Sequence, residues 1–128
     1  MAYLLDSHIL FWVLADTKQL SEPVVNIIED KNIEILVSQV TLMELTIKMN
    51  IGKLTYGTGV KELLTDISAL GLRTITVENQ DLEMYSGLPL HHRDPFDRFI
   101  IAQAQSRSLT IITSDPMFKQ YQVGLLIN

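Results

Sequence analysis

Two acidic residues in this sequence stand at the ends of short apolar segments that have the length of β-strands. Asp6 directly follows the segment AYLL, and Asp115 follows the segment TIIT with one residue between them. If these segments are parallel neighbours, their carboxyl ends meet at one edge of a sheet, which is where open α/β sheets bind ligands. We therefore expect the carboxylates of Asp6 and Asp115 to face one rim.

Two more acids lie in segments of helical period, on faces that are otherwise apolar. The residues that share each face are Val40, Ile47 and Ile51 for Glu44, and Ile101 and Ala104 for Asp97. Burying an ionised carboxylate without compensation costs several kcal/mol or forces its protonation. Acids on core-facing stripes therefore need a partner, and several such acids at one place need a cation.

The side chains available as ligands indicate the kind of cation. The sequence has no cysteine, which excludes thiolate zinc and iron-sulfur sites, and it has no clear histidine cluster. Hard carboxylate oxygens favour Mg²⁺ or Mn²⁺. Because magnesium binds through a few carboxylates together with substrate phosphate oxygens, the pattern favours phosphodiester chemistry, in which the metal activates a water and stabilises charge on the phosphate.

Each acid also has a purely structural interpretation. Asp94 before Pro95 is a good helix N-cap, and Asp97 then lies favourably in the first turn. The other structural interpretations are caps at Asp6 and Asp115, a capping box of Thr41 with Glu44, and an ion pair of Glu44 with Lys48. Capping explains the acids one at a time, but it does not explain why four of them should converge on one rim.

The segments that must position these acids alternate between strand and helix. Runs rich in apolar and β-branched residues occupy positions 2–5, 33–37, 72–77, 109–113 and 123–127. Segments of helical period occupy 7–15, 22–31, 39–50, 60–70, 79–86 and 95–107, with Gly71 as a helix stop. The alternation, with strands that are apolar on both faces, predicts an α/β fold in which helices cover both sides of a parallel sheet.

Length and composition limit the classes of protein to which the chain can belong. With 128 residues, 47% of them hydrophobic, we treat positions 1–128 as a single domain with a buried core. The apolar run near the N-terminus is interrupted by Asp6 and His8 and follows no basic segment, so we expect neither a signal peptide nor a membrane span. The lack of cysteine suits the reducing cytoplasm. The formal charge of -5 means that a nucleic acid would need a local binding site.

Basic and imidazole side chains cluster around the Asp94 turn. His91 and His92 are adjacent, so they point apart in an extended chain and lack the spacing of paired metal ligands. We expect them to lie in a solvated loop, where they can contact phosphate together with Arg93 and Arg98.

Four fragments of the sequence together resemble one protein family. In order along nearly the whole chain they are LLDSHILFWVL, VSQVTLMELTIKMNIGKL, RDPFDRFIIAQAQ and IITSDPMF. They resemble the PIN-domain ribonucleases, specifically the VapC-like toxins of bacterial toxin-antitoxin pairs. The resemblance implies a three-layer α/β/α sandwich with a central, mainly parallel five-stranded sheet, an endoribonuclease that depends on Mg²⁺ or Mn²⁺, a homodimer, and an antitoxin that covers the active site.

The resemblance also implies roles for individual residues. Asp6 and Asp97 are expected to be the main metal ligands, while Glu44 and Asp115 complete the site directly or through water. The positions matched by Ser7 and Thr113 carry hydroxyls that bond a ligand carboxylate or a bound water. Asp94, mainly the cap of its helix, can assist as a peripheral acid.

The expected substrate is RNA, and basic residues near the acids are the candidates to hold its backbone. These candidates are Arg98, Arg93, Lys48 and Lys53. In the enzymes that the chain resembles, a water attacks the scissile phosphate in line, with a carboxylate helping to deprotonate it, and leaves 5′-phosphate and 3′-hydroxyl ends.

Two other functions are compatible with an acidic rim. A receiver domain of a signalling pathway also holds Mg²⁺ at strand ends, but it needs an acidic pair after the first strand, and here Asp6 is followed by Ser7. It also needs a lysine late in the sheet, and none precedes the segment VGLLI. The second alternative is a catalytically degenerate PIN-like module whose acids are caps and whose surface only binds a partner.

Overall fold

The five apolar segments form the strands of one sheet. The computed structural model describes residues 2–128, so the predicted range of 1–128 is covered except for Met1, which lies outside the described residues. The strands are β1 (Ala2–Leu5), β2 (Glu34–Ser38), β3 (Arg73–Ile75), β4 (Thr110–Thr113) and β5 (Gly124–Ile127). Their positions agree with the sequence prediction to within a few residues, the largest difference being that β3 is shorter.

The sheet is parallel throughout and has the strand order β3-β2-β1-β4-β5. Leu5 of β1 pairs with Ile112 of β4, so the residues that follow these two strands emerge at the same edge. A receiver domain has the order 2-1-3-4-5. The observed order therefore excludes the receiver alternative.

Helices connect the strands in the predicted alternation. They are α1 (Ser7–Ala15), α2 (Glu22–Glu29), α3 (Gln39–Asn50), α4 (Val60–Ala69), α5 (Asn79–Ser86) and α6 (Pro95–Arg107), with short 3₁₀ helices at Thr17–Gln19 and Pro116–Gln120. The predicted stop after α4 is confirmed, because Gly71 has a φ of 76°, in the left-handed region that favours glycine.

Two separate hydrophobic clusters show that helices cover both faces of the sheet. On one face, Leu5, Val37 and Ile112 pack with buried residues of α1, α2, α3 and α4. On the other face, Leu4, Leu36 and Ile111 pack with α6 and with the residues that follow α5. The side chains alternate between faces along each strand, as a pleated strand requires. The predicted α/β/α sandwich is confirmed.

Two expectations for α3 are wrong. Ile47 and Ile51 are exposed rather than part of a buried stripe, since only the side of α3 that carries Val40 and Leu45 faces the sheet. The helix also begins earlier than a capping box of Thr41 with Glu44 requires. Its cap is Ser38, whose hydroxyl accepts a hydrogen bond from the backbone N–H of Val40.

Within residues 2–128, every helix is too short or too polar to cross a bilayer.

Candidate active site at the carboxyl edge of the sheet

Asp6 lies at the carboxyl end of β1, with its side chain almost fully buried. Its backbone N–H continues the sheet by donating to the carbonyl of Ile112. The carboxylate accepts from the backbone N–H of Ser7 at 2.6 Å and from the hydroxyl of Thr113 at 2.7 Å. Burial raises the pKa of Asp6 in spite of these hydrogen bonds, and the charge of Glu44 contributes to the increase.

Thr113 connects two of the predicted site acids. While its hydroxyl donates to Asp6, the same oxygen accepts from the backbone N–H of Asp115 at 3.0 Å. Asp115 in turn caps the 3₁₀ helix at Pro116–Gln120 by accepting from the N–H of Met117. The two hydroxyls of Ser7 and Thr113 thus lie beside a site carboxylate, and their part in metal binding remains a prediction.

Glu44 is buried on α3, and one of its oxygens lacks a partner. Its Oε2 lies 2.8 Å from the ammonium of Lys48, the ion pair that the spacing of four residues predicted. Its Oε1 is buried without a hydrogen bond, as is the hydroxyl of Thr41 one turn earlier on the same helix. Unsatisfied buried polar atoms are rare in proteins, so two of them side by side indicate a place for a water or an ion.

Asp97 lies within the electrostatic influence of the other three site acids and of Asp94. Its pKa is raised to about 8, first by burial and then by the negative charges of Asp6, Asp94, Glu44 and Asp115. Such mutual repulsion requires the carboxylates to lie near one another. Asp94 also has the predicted structural role, because its side chain accepts from the N–H groups of Phe96 and Asp97 and so begins α6.

The predicted acids therefore lie at the carboxyl edge of the sheet, but hydrogen bonds and an ion pair engage several of their oxygens. Within the described part of the chain, no three acidic or histidine side chains are arranged so that they could hold a metal ion as they stand. Caps and ion pairs occupy individual oxygens of Asp6, Glu44 and Asp115. Asp6, Asp94 and Asp115 thus have the predicted structural role of caps, and Glu44 forms the predicted ion pair, while the interpretation of the acids as metal ligands remains a prediction.

The donors at this site fit a hard divalent cation. They are carboxylate oxygens, which Mg²⁺ and Mn²⁺ prefer, and one of them, Oε1 of Glu44, is buried and has no other partner. A cation would also relieve the repulsion that raises the pKa of Asp97.

Comparison with known proteins identifies the family. A family model described as "PIN domain" matches residues 3–124, nearly the whole chain. The chain belongs to the PIN-domain family. This confirms the resemblance seen in the four sequence fragments. PIN domains are generally nucleases that use divalent metals. A comparison with curated proteins found no significant match to this chain.

Solved VapBC structures contain chains that share the fold at low sequence identity. VapBC2 of Rickettsia felis bound to a promoter DNA fragment superposes with a TM-score of 0.75 at 18% identity, covering 99% of this chain and 98% of that one. DNA-bound VapBC of Salmonella typhimurium gives 0.72 at 16% identity, with the same coverage of 99% and 98%. VapBC-5 of Mycobacterium tuberculosis gives 0.65 at 23% identity, again covering 99% and 98%.

The structure changes the set of basic residues that this PIN domain can offer to a substrate. Arg98 is only 6% exposed, and its guanidinium donates to the carbonyls of Leu88, Pro89 and His92. It holds the loop before α6 and is removed from the candidates for RNA contact. Arg93 and Lys53 are exposed, while Lys48 is partly buried beside Glu44.

His92 is placed differently from the sequence prediction. It does not lie in a solvated loop, because its Nδ1 lies 2.7 Å from the hydroxyl of Tyr121 and its Nε2 lies 3.3 Å from Oδ2 of Asp97. The sequence contains no signal for this contact, since Tyr121 is 29 residues away. His91 fits the expectation better, as it is exposed beside the edge of the Tyr121 ring.

Proposed function

We propose that this PIN domain is a metal-dependent endoribonuclease and the toxin of a toxin-antitoxin pair. The proposal rests on the arrangement of the acids at one edge of the sheet. Thr113 joins Asp6 and Asp115 through hydrogen bonds, Glu44 is buried with one unpartnered oxygen, and the negative charges of these acids contribute to the raised pKa of Asp97. Their position at the carboxyl edge of a parallel sheet is where α/β proteins bind ligands. Isolated caps would not need to meet in this way.

The acids divide the task of holding Mg²⁺ or Mn²⁺. We assign direct ligation to Asp6 and Asp97, with Glu44 and Asp115 completing the site directly or through water. When bound, the cation lowers the pKa of a coordinated water and offsets charge that develops on the phosphate. Ser7 and Thr113 fix the orientation of the Asp6 carboxylate through their hydrogen bonds.

The RNA backbone is held by cations at the edge of the acidic site. Lys48 lies beside this site, because its ammonium is 2.8 Å from Oε2 of Glu44. That hydrogen bond, and to a lesser degree the charges of Asp94 and Asp97, raise the pKa of Lys48. Arg93 and Lys53 are exposed and free to meet phosphates further along the strand. Hydrolysis by a water in line with the leaving oxygen leaves 5′-phosphate and 3′-hydroxyl ends.

An antitoxin is the protein partner that we propose. Several solved neighbours are VapBC toxin-antitoxin complexes. In this chain Met43, Ile47 and Ile51 are about half exposed, at 54%, 47% and 57%, and lie four residues apart between α3 and its C-cap. Met43 and Ile47, together with Leu64 of α4, border an apolar groove on the helix that carries Glu44. A partner seated there would lie beside the acidic site.

Capture of the protein encoded by the neighbouring gene tests the partner. Ile47→Glu should abolish co-purification, because it places a charge in the groove. Leu82→Glu is the matched control, since Leu82 is exposed to a similar degree, 48%, but lies on α5. Equal capture by both variants would argue against the α3 groove as the docking surface.

Cleavage of a defined RNA tests the enzyme. The wild type should cut it in Mg²⁺ or Mn²⁺ and lose this activity in EDTA, while Asp6→Ala and Asp97→Asn should remain folded and inactive. Glu29→Gln is a suitable control, because Glu29 is exposed just before β2, at the opposite edge of the sheet. Full activity in Asp97→Asn would reject the assignment.

A PIN-like binding module without catalysis is the second candidate. The caps formed by Asp94 and Asp115, and the absence from residues 2–128 of a preformed ligand group, favour it. Mg²⁺ or Mn²⁺ should raise the melting temperature of a nuclease and leave that of a binding module unchanged, because a ligand stabilises only the folded state that binds it.

We also propose that residues 1–128 act as one domain in the cytoplasm, where the RNA substrate and the antitoxin are present. The active form is expected to be a homodimer. Light scattering of the purified protein tests the dimer, with a mass of twice 14.5 kDa as the expected result.

A further inference from the structure

A chain of hydrogen bonds runs from a buried arginine to the acidic site. Arg98 donates from Nη1 to the hydroxyl of Tyr121 at 3.2 Å. Tyr121 lies 2.7 Å from Nδ1 of His92, and Nε2 of the same imidazole lies 3.3 Å from Oδ2 of Asp97. The chain joins residues from α6, from the loop before α6 and from the end of the 3₁₀ helix at Pro116–Gln120.

The hydrogen bonds that Tyr121 accepts determine which group donates at each step from Arg98 to Asp97. A phenol oxygen accepts two hydrogen bonds and donates one. The hydroxyl of Tyr121 accepts from Nη1 of Arg98 and from the backbone N–H of His92, at 3.2 and 3.3 Å. Both of its acceptor positions are therefore filled, and its own hydrogen must be donated to Nδ1 of His92.

The tautomer of His92 follows from this donation. In a neutral imidazole, one ring nitrogen accepts and the other carries the hydrogen. Since Nδ1 accepts from Tyr121, the hydrogen of His92 is on Nε2, which faces Asp97. The imidazole thus donates to Oδ2 of Asp97, and it leaves Oδ1 to other partners.

We propose that His92 is a positioning residue, which Tyr121 and Arg98 hold in the Nε2–H tautomer so that it fixes the carboxylate of Asp97 with Oδ1 directed to the divalent cation. The inference rests on the proposed function, because it gives Asp97 the part of a metal ligand. Carboxylates that bind metals are commonly held by such outer hydrogen bonds, and their loss weakens metal binding by about 10- to 100-fold.

Burial makes the arrangement rigid. The side chains of His92 and Asp97 are only 12% and 14% exposed. Tyr121 is buried, and its ring packs against that of His92 with 5.4 Å between centroids. The guanidinium of Arg98 is held by three backbone carbonyls, two of them bonded to the same Nη1 that donates to Tyr121, and by the face of the Tyr85 ring. The donor to Asp97 is therefore set by the core rather than by solvent.

Long-range ¹H–¹⁵N NMR of the metal-free protein reads the tautomer directly. In mildly alkaline buffer, the wild type should show a protonated Nε2 and an unprotonated Nδ1 for His92. Tyr121→Phe, which removes the donor to Nδ1, should shift the ring nitrogens toward a mixture of tautomers. A protonated Nδ1, or a mixture already present in the wild type, would overturn the proposal.

Mn²⁺ titration of two substitutions separates positioning from a merely structural role. The amide nitrogen of His92→Gln can replace the donor Nε2, whereas the shorter side chain of His92→Asn reaches only the position of Nδ1, where its amide oxygen can accept from Tyr121. We expect the glutamine variant to bind Mn²⁺ within about threefold of the wild type and the asparagine variant to bind about tenfold or more weakly. His91→Asn is the control and should bind as the wild type does.

The possible failures point to different conclusions. Equal affinity in wild type and His92→Asn would overturn the positioning role, as would an equal loss in the glutamine and asparagine variants. Lack of Mn²⁺ binding by the wild type would reject the proposed function, and the positioning role with it. The spectra of the metal-free protein would still show which ring nitrogen faces Asp97.

Discussion

Thr113 donates its hydroxyl hydrogen to the carboxylate of Asp6 over 2.7 Å, although 107 positions separate the two residues in sequence. The contact closes the carboxyl edge of the sheet between β1 and β4, the two central strands that deliver the acids. Because the same hydroxyl accepts from the N–H of Asp115, one side chain sets the positions of two acids.

Replacing Thr113 by valine should destabilise the protein. The substitution keeps the shape of the side chain but removes a hydrogen bond to a buried carboxylate and one from a backbone N–H, at a cost of about 1 to 3 kcal/mol. Urea unfolding of Thr113→Val measures the change. Thr110→Val, on the same strand but away from Asp6, should change stability less, and equal losses would argue against the role of the contact.

The stability of the metal-free protein should depend on Asp97 between about pH 4 and pH 8. The pKa of Asp97 is raised from 3.8 to about 8 in the folded state, so folding favours the protonated carboxyl. Its contribution is complete below pH 3.8 and is lost as the pH rises through 8. The loss is at most about 1.4 kcal/mol per pH unit.

Comparison with Asp97→Asn isolates this effect from the titration of other groups. The variant should gain stability relative to the wild type as the pH increases, and Mg²⁺ should reduce the difference by offsetting the charge in the wild type. Chemical unfolding of both proteins across this pH range is the measurement. A constant difference at every pH would show that Asp97 does not carry the raised pKa.

The fold could be predicted because its signals are local. Runs such as AYLL and TIIT are apolar on both faces, as central parallel strands must be, and the acids at their ends follow from the topology. The shared edge of Asp6 and Asp115 was predictable for the same reason. Pro95 and Gly71 mark helix ends through backbone chemistry alone.

The roles of Arg98 and His92 could not be predicted, because they depend on the path of a loop. A basic residue near an acidic site suggests substrate contact, but the carbonyls of Leu88 and Pro89 turn toward Arg98 and bury it. Ile47 is a similar case on α3. Its helical spacing predicted burial, whereas the part of the chain that the structure describes leaves it uncovered.

Lys48→Met should lower the stability of the metal-free protein and raise its affinity for a divalent cation. The ammonium offsets the buried charge of Glu44, so its loss should cost on the order of 1 to 3 kcal/mol, reduced by the partial exposure of Lys48. It also competes with a divalent cation for the same carboxylate. Calorimetry should show tighter Mn²⁺ binding, and unchanged binding would contradict this competition. Lys53→Met, which is exposed, serves as the control.

Arg98→Lys should destabilise the protein, whereas Arg93→Lys should not. A lysine cannot reproduce the several hydrogen bonds of the Arg98 guanidinium, so Arg98→Lys should lower the free energy of unfolding by about 1 to 3 kcal/mol. Arg93→Lys should leave stability unchanged. Arg93→Ala should remove a phosphate contact. The slope of log K for RNA binding against log salt concentration should then become smaller in magnitude by about 0.7. A stable Arg98→Lys would contradict its structural assignment.

Calorimetric titration with Mn²⁺ tests most directly whether Asp6, Glu44, Asp97 and Asp115 form one metal site. Wild type and Glu29→Gln should show saturable binding of equal affinity, while Asp97→Asn should bind about tenfold or more weakly, a loss of at least about 1.4 kcal/mol. Absence of saturable binding by the wild type, or equal affinity in Asp97→Asn, would show that the acids meet for structural reasons only.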